Sequence, residues 1–264
     1  MFGAVFGDIV GSIYEFDNVK SKSFELLTEG SYFTDDTVMT VALADALMRS
    51  DIRENPKGFQ NTFVKTMHRY GERYPDAGYG GKFAYWLLYE DTEPYNSYGN
   101  GSAMRVSPVA WYAETLDEAI HFAKLSAEVT HDHPEGIKGA VVTAGAIFLA
   151  GSGADKSAIR RFIEEYYDID FTLDEIRATY TFNETCQESV PQAMVAFLES
   201  ESFEDAIRLA ISIGGDSDTI GAITGSVAEA FYGMRDDEKD AIYRYLDDDL
   251  IAVIEEFSDN YEGA

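Results

Sequence analysis

The chain has 264 residues, 45% of them hydrophobic, and a formal net charge of −28 at pH 7. A surface this acidic repels nucleic-acid phosphates and anionic membranes, which argues against both as partners. Cys186 is the only cysteine, so an intrachain disulfide and a thiolate metal cluster are excluded, and a cytoplasmic setting is the expectation. The apolar share fits a globule with a substantial core, and the expectation is a single domain over 1–264. Asp8 and Glu15 interrupt the apolar beginning and no basic segment precedes it, so no signal peptide is expected. The weakly polar stretch 139–154 is too short and too glycine-rich to span a bilayer and reads as a core helix.

Over 3–16, GAVFGDIVGSIYEF places Gly3, Gly7 and Gly11 four apart. On a helix that makes a smooth ridge for another backbone. Glycine costs about 1 kcal/mol per helical position relative to alanine, so three imply tight packing. Helical spacing puts Asp8 and Glu15 on the glycine face, where acids are expensive unless neutralised; exposure on a shorter helix is the alternative. After a polar connection, Thr34-Asp35-Asp36-Thr37 precedes a helix pattern lined by Val38, Val41, Ala42 and Leu47, and Thr34, Asp35 or Asp36 suits its cap. Pro56 opens a further helix with Phe59, Phe63, Val64 and Met67 at the 3–4 spacing. His68 beside Arg69 is expected at the surface. The stretch 74–101 mixes glycines, prolines and aromatics, and long irregular segments of that kind are usually functional. Its end, 96–101, offers N–H groups, hydroxyls, amides and a ring, and runs into a helix start. It reads as a turn or as an anion cradle.

An amphipathic helix is predicted over 116–131, carrying Ile120, Ala123, Leu125 and Val129, with Pro134 opening the next. His131 and His133, two apart, do not share a helix face, so a zinc pair is disfavoured and a histidine directed at a phosphate is the better reading. Helices follow over 158–167, 173–180 (with a Thr172–Glu175 capping box), 189–199 and 203–213. Then comes GGDSDTIGAITGSVAEAFYG, 214–233. Gly214 and Gly215 free the backbone. Asp216, Asp218 and Thr219 follow, and then a helix rich in small residues. A helix N-cap explains one carboxylate; this stretch supplies two. Paired with the cluster at Thr34–Thr37, it suggests a shared cation site of hard oxygen ligands. Two short helices close the chain over 237–257. No strand alternation persists, and the expected class is all-α.

GDIVGSIYE, FTDDTVMT, SYGNGSAMR, THDHPEGIKGA and GGDSDTIGAITGSVAEAFYG stand in the order and form of the ADP-ribosylglycohydrolase family, which the chain resembles from Gly3 to Gly233. The resemblance implies a compact all-α fold with two Mg2+ (or Mn2+). It assigns Thr34, Asp35, Asp36, Asp216, Asp218 and Thr219 as ligands, and matches Glu15 to the N-terminal acid that reaches the centre. Ser97, Tyr98, Gly99, Asn100 and Gly101 match the loop around ribose and diphosphate. Ser102, Gly214 and Gly215 join them as binding positions, and His131 matches a histidine near the phosphates. The implied substrate is an ADP-ribosylated protein or small molecule, and the implied product ADP-ribose. The residues suit that chemistry independently. Two divalent cations carry +4 against −5 from Glu15, Asp35, Asp36, Asp216 and Asp218 when all are ionised. Cleavage at the ribose C1 passes through an oxocarbenium-like state that a nearby carboxylate assists. Either Glu15 or Asp216 suits the acid–base role. A metal-dependent hydrolase of another nucleotide-like glycoside or phosphoester is the alternative, and a non-catalytic ADP-ribose binder a further one. The linkage cleaved depends on the rim of the site, and the resemblance carries over no substrate-selecting residue from 17–30 or 74–96.

Overall fold

A computed structural model describes residues 1–261. Among them lie fifteen helices and no strand: α1 (Phe2–Gly11), α2 (Asp35–Arg49), α3 (Pro56–Arg73), α4 (Gly81–Leu88), α5 (Gly101–Met104), α6 (Ser107–Tyr112), α7 (Leu116–Ala127), α8 (Pro134–Gly151), α9 (Lys156–Glu164), α10 (Leu173–Ile176), α11 (Cys186–Glu199), α12 (Phe203–Ser212), α13 (Ser217–Tyr232), α14 (Asp236–Tyr243) and α15 (Asp248–Tyr261). The protein is all-α, as its periodicity predicts. No helix among the described residues is long and apolar enough to cross a membrane.

The glycine ridge sets the geometry at the centre. A Cβ on Gly7 would lie 2.0 Å from the Gly221 carbonyl oxygen, and one on Gly3 would lie 2.2 Å from that of Gly225. So α1 and α13 touch backbone to backbone, a separation that only glycine permits. The same packing sets the end of α1 against the start of α13: a Cβ on Gly11 would lie 2.4 Å from Asp218 Cα. α1 is shorter than expected. Ser12 Oγ donates back to Ile9 O at 2.9 Å and Tyr14 N to Gly11 O at 2.8 Å, so the chain leaves the helix there. Asp8 therefore stays on the packed face, fully buried, while Glu15 sits in the following turn.

Around this pair, α2, α8 and α11 contribute to one contiguous cluster of buried apolar residues. Small residues again allow close approach on α8, where a Cβ on Gly139 would lie 2.4 Å from Cys186 Sγ. Thr172 and Glu175 form the predicted capping box of α10. Two local expectations change. His68 is half-buried, stacked on Trp86 at 4.3 Å with Nε2 2.7 Å from Asp91 O. The stretch 74–101, expected to be irregular, contains α4, whose Phe83 and Trp86 reach the core.

Candidate active site

The first turn of α2 is capped without its own carboxylates. Thr34 Oγ1 accepts from Asp36 N at 3.2 Å. Asp8, reaching across from α1, accepts from Thr34 N (3.0 Å), Thr34 Oγ1 (2.7 Å), Thr37 N (3.0 Å) and Thr37 Oγ1. The free donors of the turn are thus satisfied, which leaves Asp35 and Asp36 for other work. Asp36 Oδ2 accepts from Thr219 Oγ1 at 3.1 Å, and its buried Oδ1 has no hydrogen-bond partner among the described residues.

At the start of α13 the chain turns through Gly214 (φ 66°) and Gly215 (φ 83°), both in the left-handed region. Asn18 brackets Gly215, accepting from its N–H at 2.8 Å and donating to its carbonyl at 3.1 Å. Asp216 occupies the N-cap position yet makes no capping hydrogen bond. Its Oδ2 instead accepts from Asn100 Nδ2 at 2.7 Å, and that same amide donates to Ser189 Oγ at 3.0 Å. Glu15, Asp216 and Asp218 each offer an oxygen within 4.8 Å of the others.

These groups line a cavity of ≈470 Å3, a usual size for a small-ligand site. Glu15, Thr34, Asp35, Asp36, Asp216, Asp218 and Thr219 line it, together with Ser97, Tyr98, Gly99, Asn100, Gly101 and His131. Ser102, Gly214 and Gly215 do not belong to the lining. Ser102 is fully buried and donates to Gly136 O at 2.7 Å, and the two glycines shape the turn behind the acids. The loop 97–101 is pinned from below: Asn100 N donates to Glu184 O at 2.8 Å, Cys186 N to Tyr98 O at 3.0 Å and Gly99 N to Ser97 Oγ at 3.1 Å. Both amide donors of Asn100 are engaged within the protein, so its side chain orients Asp216.

The mouth is aromatic. Phe16 and Phe182, 83% and 46% exposed, stack at 6.3 Å beside Tyr32 and Tyr98. Neither phenylalanine belongs to a recognisable motif. Arg105, fully buried in the lining, and Asp8, the clamp on α2, are likewise additions to the sequence reading; for Asp8 the signal was an acid on a packed face.

No ion pair among the described residues involves Asp8, Glu15, Asp35, Asp36, Asp216 or Asp218. Burial, then the Asp218 charge, raises the Asp8 carboxyl to about 7. Burial, then Asp218 and Asp8, raises Glu15 to about 8. Asp35, Asp36 and Asp216 are held well above the usual carboxylate range by the same causes, and burial raises Asp218. Gathered carboxylates of this kind are stable only when they hold protons or a cation. Oxygen donors alone, one of them a buried orphan, suit a hard divalent ion.

Residues 1–262 match the ADP-ribosylglycohydrolase family. The chain belongs to that family and is a hydrolase. It is similar to the ADP-ribosylhydrolase ARH3 of Mus musculus, 28% identical over 88% of this chain and 82% of the relative. The Homo sapiens ARH3 is 27% identical over 88% and 84%. The ADP-ribosylarginine hydrolase Tri1 of Pseudomonas putida is 28% identical over 89% and 70%. A solved ADP-ribosylglycohydrolase-related protein complex shares the fold, with a TM-score of 0.61 at 24% identity over 92% of this chain and 96% of that one.

Proposed function

We propose that the protein hydrolyses the glycosidic bond between ADP-ribose and a modified acceptor, releasing ADP-ribose, with two Mg2+ or Mn2+ ions held by Thr34, Asp35, Asp36, Asp216, Asp218 and Thr219. The observation that carries this reading is the release of both acidic helix starts from capping. Thr34 and Asp8 cap α2, and Asp216 caps nothing, so the carboxylates face one cavity without an ion pair among the described residues. When bound, the ions would offset the carboxylate charge, polarise ribose hydroxyls and activate a water.

The remaining chemistry belongs to side chains. Asn100 fixes the Asp216 carboxylate by donating to Oδ2, which makes Asp216 the better-held ligand. Glu15 lies in a turn at the cavity wall with an oxygen within 4.8 Å of Asp216 and Asp218 oxygens, and its partial burial favours the protonated form, so it is placed to hand over a proton. In this reading Glu15 donates its proton to the departing acceptor as the C1 bond breaks, and the water oxygen bonds to C1. The proton lost by the water restores the acid. His131 and the loop 97–101 bind the diphosphate side, and Phe16 and Phe182 flank the acceptor at the mouth.

A panel of ADP-ribosylated acceptors incubated with Mg2+, with a chelated control, tests the reading by released ADP-ribose. The arginine linkage comes first, because the Pseudomonas relative is named for it. Release from at least one acceptor, abolished by chelation, is the expected outcome. Binding of ADP-ribose with no turnover on any acceptor would contradict it.

A further inference from the structure

Arg105 is 1% exposed and makes no ion pair with a carboxylate among the described residues. Its guanidinium lies over the Phe63 ring at 5.1 Å, and Nη2 donates to Ser126 O at 3.2 Å and to Thr130 Oγ1 at 2.8 Å. Thr130 is fully buried, and its hydroxyl is 2.8 Å from His131 Nδ1. A guanidinium only donates, so the Thr130 oxygen accepts from it. The single hydroxyl proton then needs its own acceptor, and His131 Nδ1 is the one within reach among the described residues. Nδ1 must offer its lone pair, which leaves the imidazole proton on Nε2. That nitrogen faces the glycine loop, 3.1 Å from where a Cβ on Gly101 would sit, on the cavity wall, and no described residue hydrogen-bonds it.

We propose that Arg105 and Thr130 are positioning residues that lock His131 as its Nε2–H tautomer, so that the cavity presents a neutral donor to an oxygen of the ligand's diphosphate. The opposite tautomer would present a lone pair to an anionic oxygen and forfeit the hydrogen bond. Burial and the Arg105 charge also hold the imidazole well below its ordinary range, which keeps the ring neutral. The identity of the ligand rests on the proposed function; the tautomer does not.

The test pairs Thr130→Val, nearly isosteric but without the hydroxyl, with Thr130→Ser, which keeps it. Nitrogen-15 NMR of the ligand-free protein at neutral pH reads the His131 tautomer, and calorimetry with ADP-ribose and Mg2+ reads affinity. Nε2–H is expected in the wild type and in Thr130→Ser, with loss of that single form in Thr130→Val. ADP-ribose affinity should drop about tenfold in Thr130→Val, the scale of one hydrogen bond, and recover in Thr130→Ser. An Nδ1–H wild type, an unchanged tautomer in Thr130→Val, or an affinity that does not follow the tautomer would overturn the relay. A wild type that ignores ADP-ribose would sink the proposed ligand instead, and the relay would then stand or fall on the ligand-free spectrum.

Discussion

At the start of α2, a threonine caps the turn and a buried aspartate from another helix clamps it through four hydrogen bonds, so Asp35 and Asp36 enter the cavity from a fixed frame. The start of α13 has no side-chain cap. Two left-handed glycines swing the chain around, and Asp216 is steadied by an amide from a distant loop. The first cluster is held by its own helix and its nearest neighbour, the second by the loop 97–101. Disturbing that loop should therefore reach the second cluster first. Both starts meet because the α1–α13 glycine contact fixes their separation.

The largest effect should come from removing a carboxylate on either side. Asp36→Asn and Asp218→Asn should each lower turnover by at least about 10²-fold, the scale of losing one electrostatic stabiliser, with the helical circular dichroism retained. Full activity in either variant would separate that helix start from the chemistry.

Asn100→Ala comes next, and bears on the α13 side alone. It removes the donor to Asp216 Oδ2 and to Ser189 Oγ, at about 1–3 kcal/mol for unpaired buried polar groups. Metal affinity and turnover should fall together. Loss of ADP-ribose affinity with metal affinity unchanged would show that the amide serves the ligand directly.

The metal-free protein should lose stability as pH rises. Asp8 and Glu15 are displaced from 3.8 and 4.5 to about 7 and about 8, so the folded state keeps protons that the unfolded chain has released. Their contribution is complete below about pH 4 and is lost as pH climbs through about 7–8. The melting temperature of chelated protein should fall across that window, and fall less in Asp218→Asn, because the Asp218 charge raises both groups. Magnesium, which binds the ionised carboxylates, should flatten the decline. Identical slopes in wild type and variant would assign the decline to the general surface charge.

The smallest effect on stability belongs to Thr34→Ala, which removes one cap at about 1 kcal/mol. Because Asp8 still clamps Thr37 and the Thr34 N–H, the turn should survive and urea denaturation should show only that modest loss. Turnover should fall as well, because the same hydroxyl is a proposed metal ligand on the cavity wall; full activity would make Thr34 a cap alone.

Much of this architecture was legible in the sequence, because its causes are local. The four-residue glycine spacing announced a close backbone contact for α1, though not that α13 makes it, proline and threonine marked helix starts, and two carboxylates in each cluster exceeded what a cap uses. What was hidden depends on long-range partners. Nothing near Asn100 indicates that its amide turns to Asp216, 116 residues away. The helical period carries 3–16 past its true end, where Ser12 folds back on Ile9 and accepts hydrogen bonds from Tyr32, a partner the local pattern does not show. His68 gave no sign of its stack on Trp86, because the partner lies on another helix. The aromatic mouth has no local signature, because Phe16 and Phe182 meet only in the folded chain.

The central claim is that the two helix starts form one divalent-cation site, and calorimetric titration of the metal-free protein with Mg2+ and Mn2+ tests it most directly. Wild type should bind saturably, with protons released as carboxylates ionise, and the double variant Asp216→Asn with Asp218→Asn should lose that binding while staying folded. Equal heats and equal proton release in both proteins would mean generic screening of the −28 charge and would contradict the account.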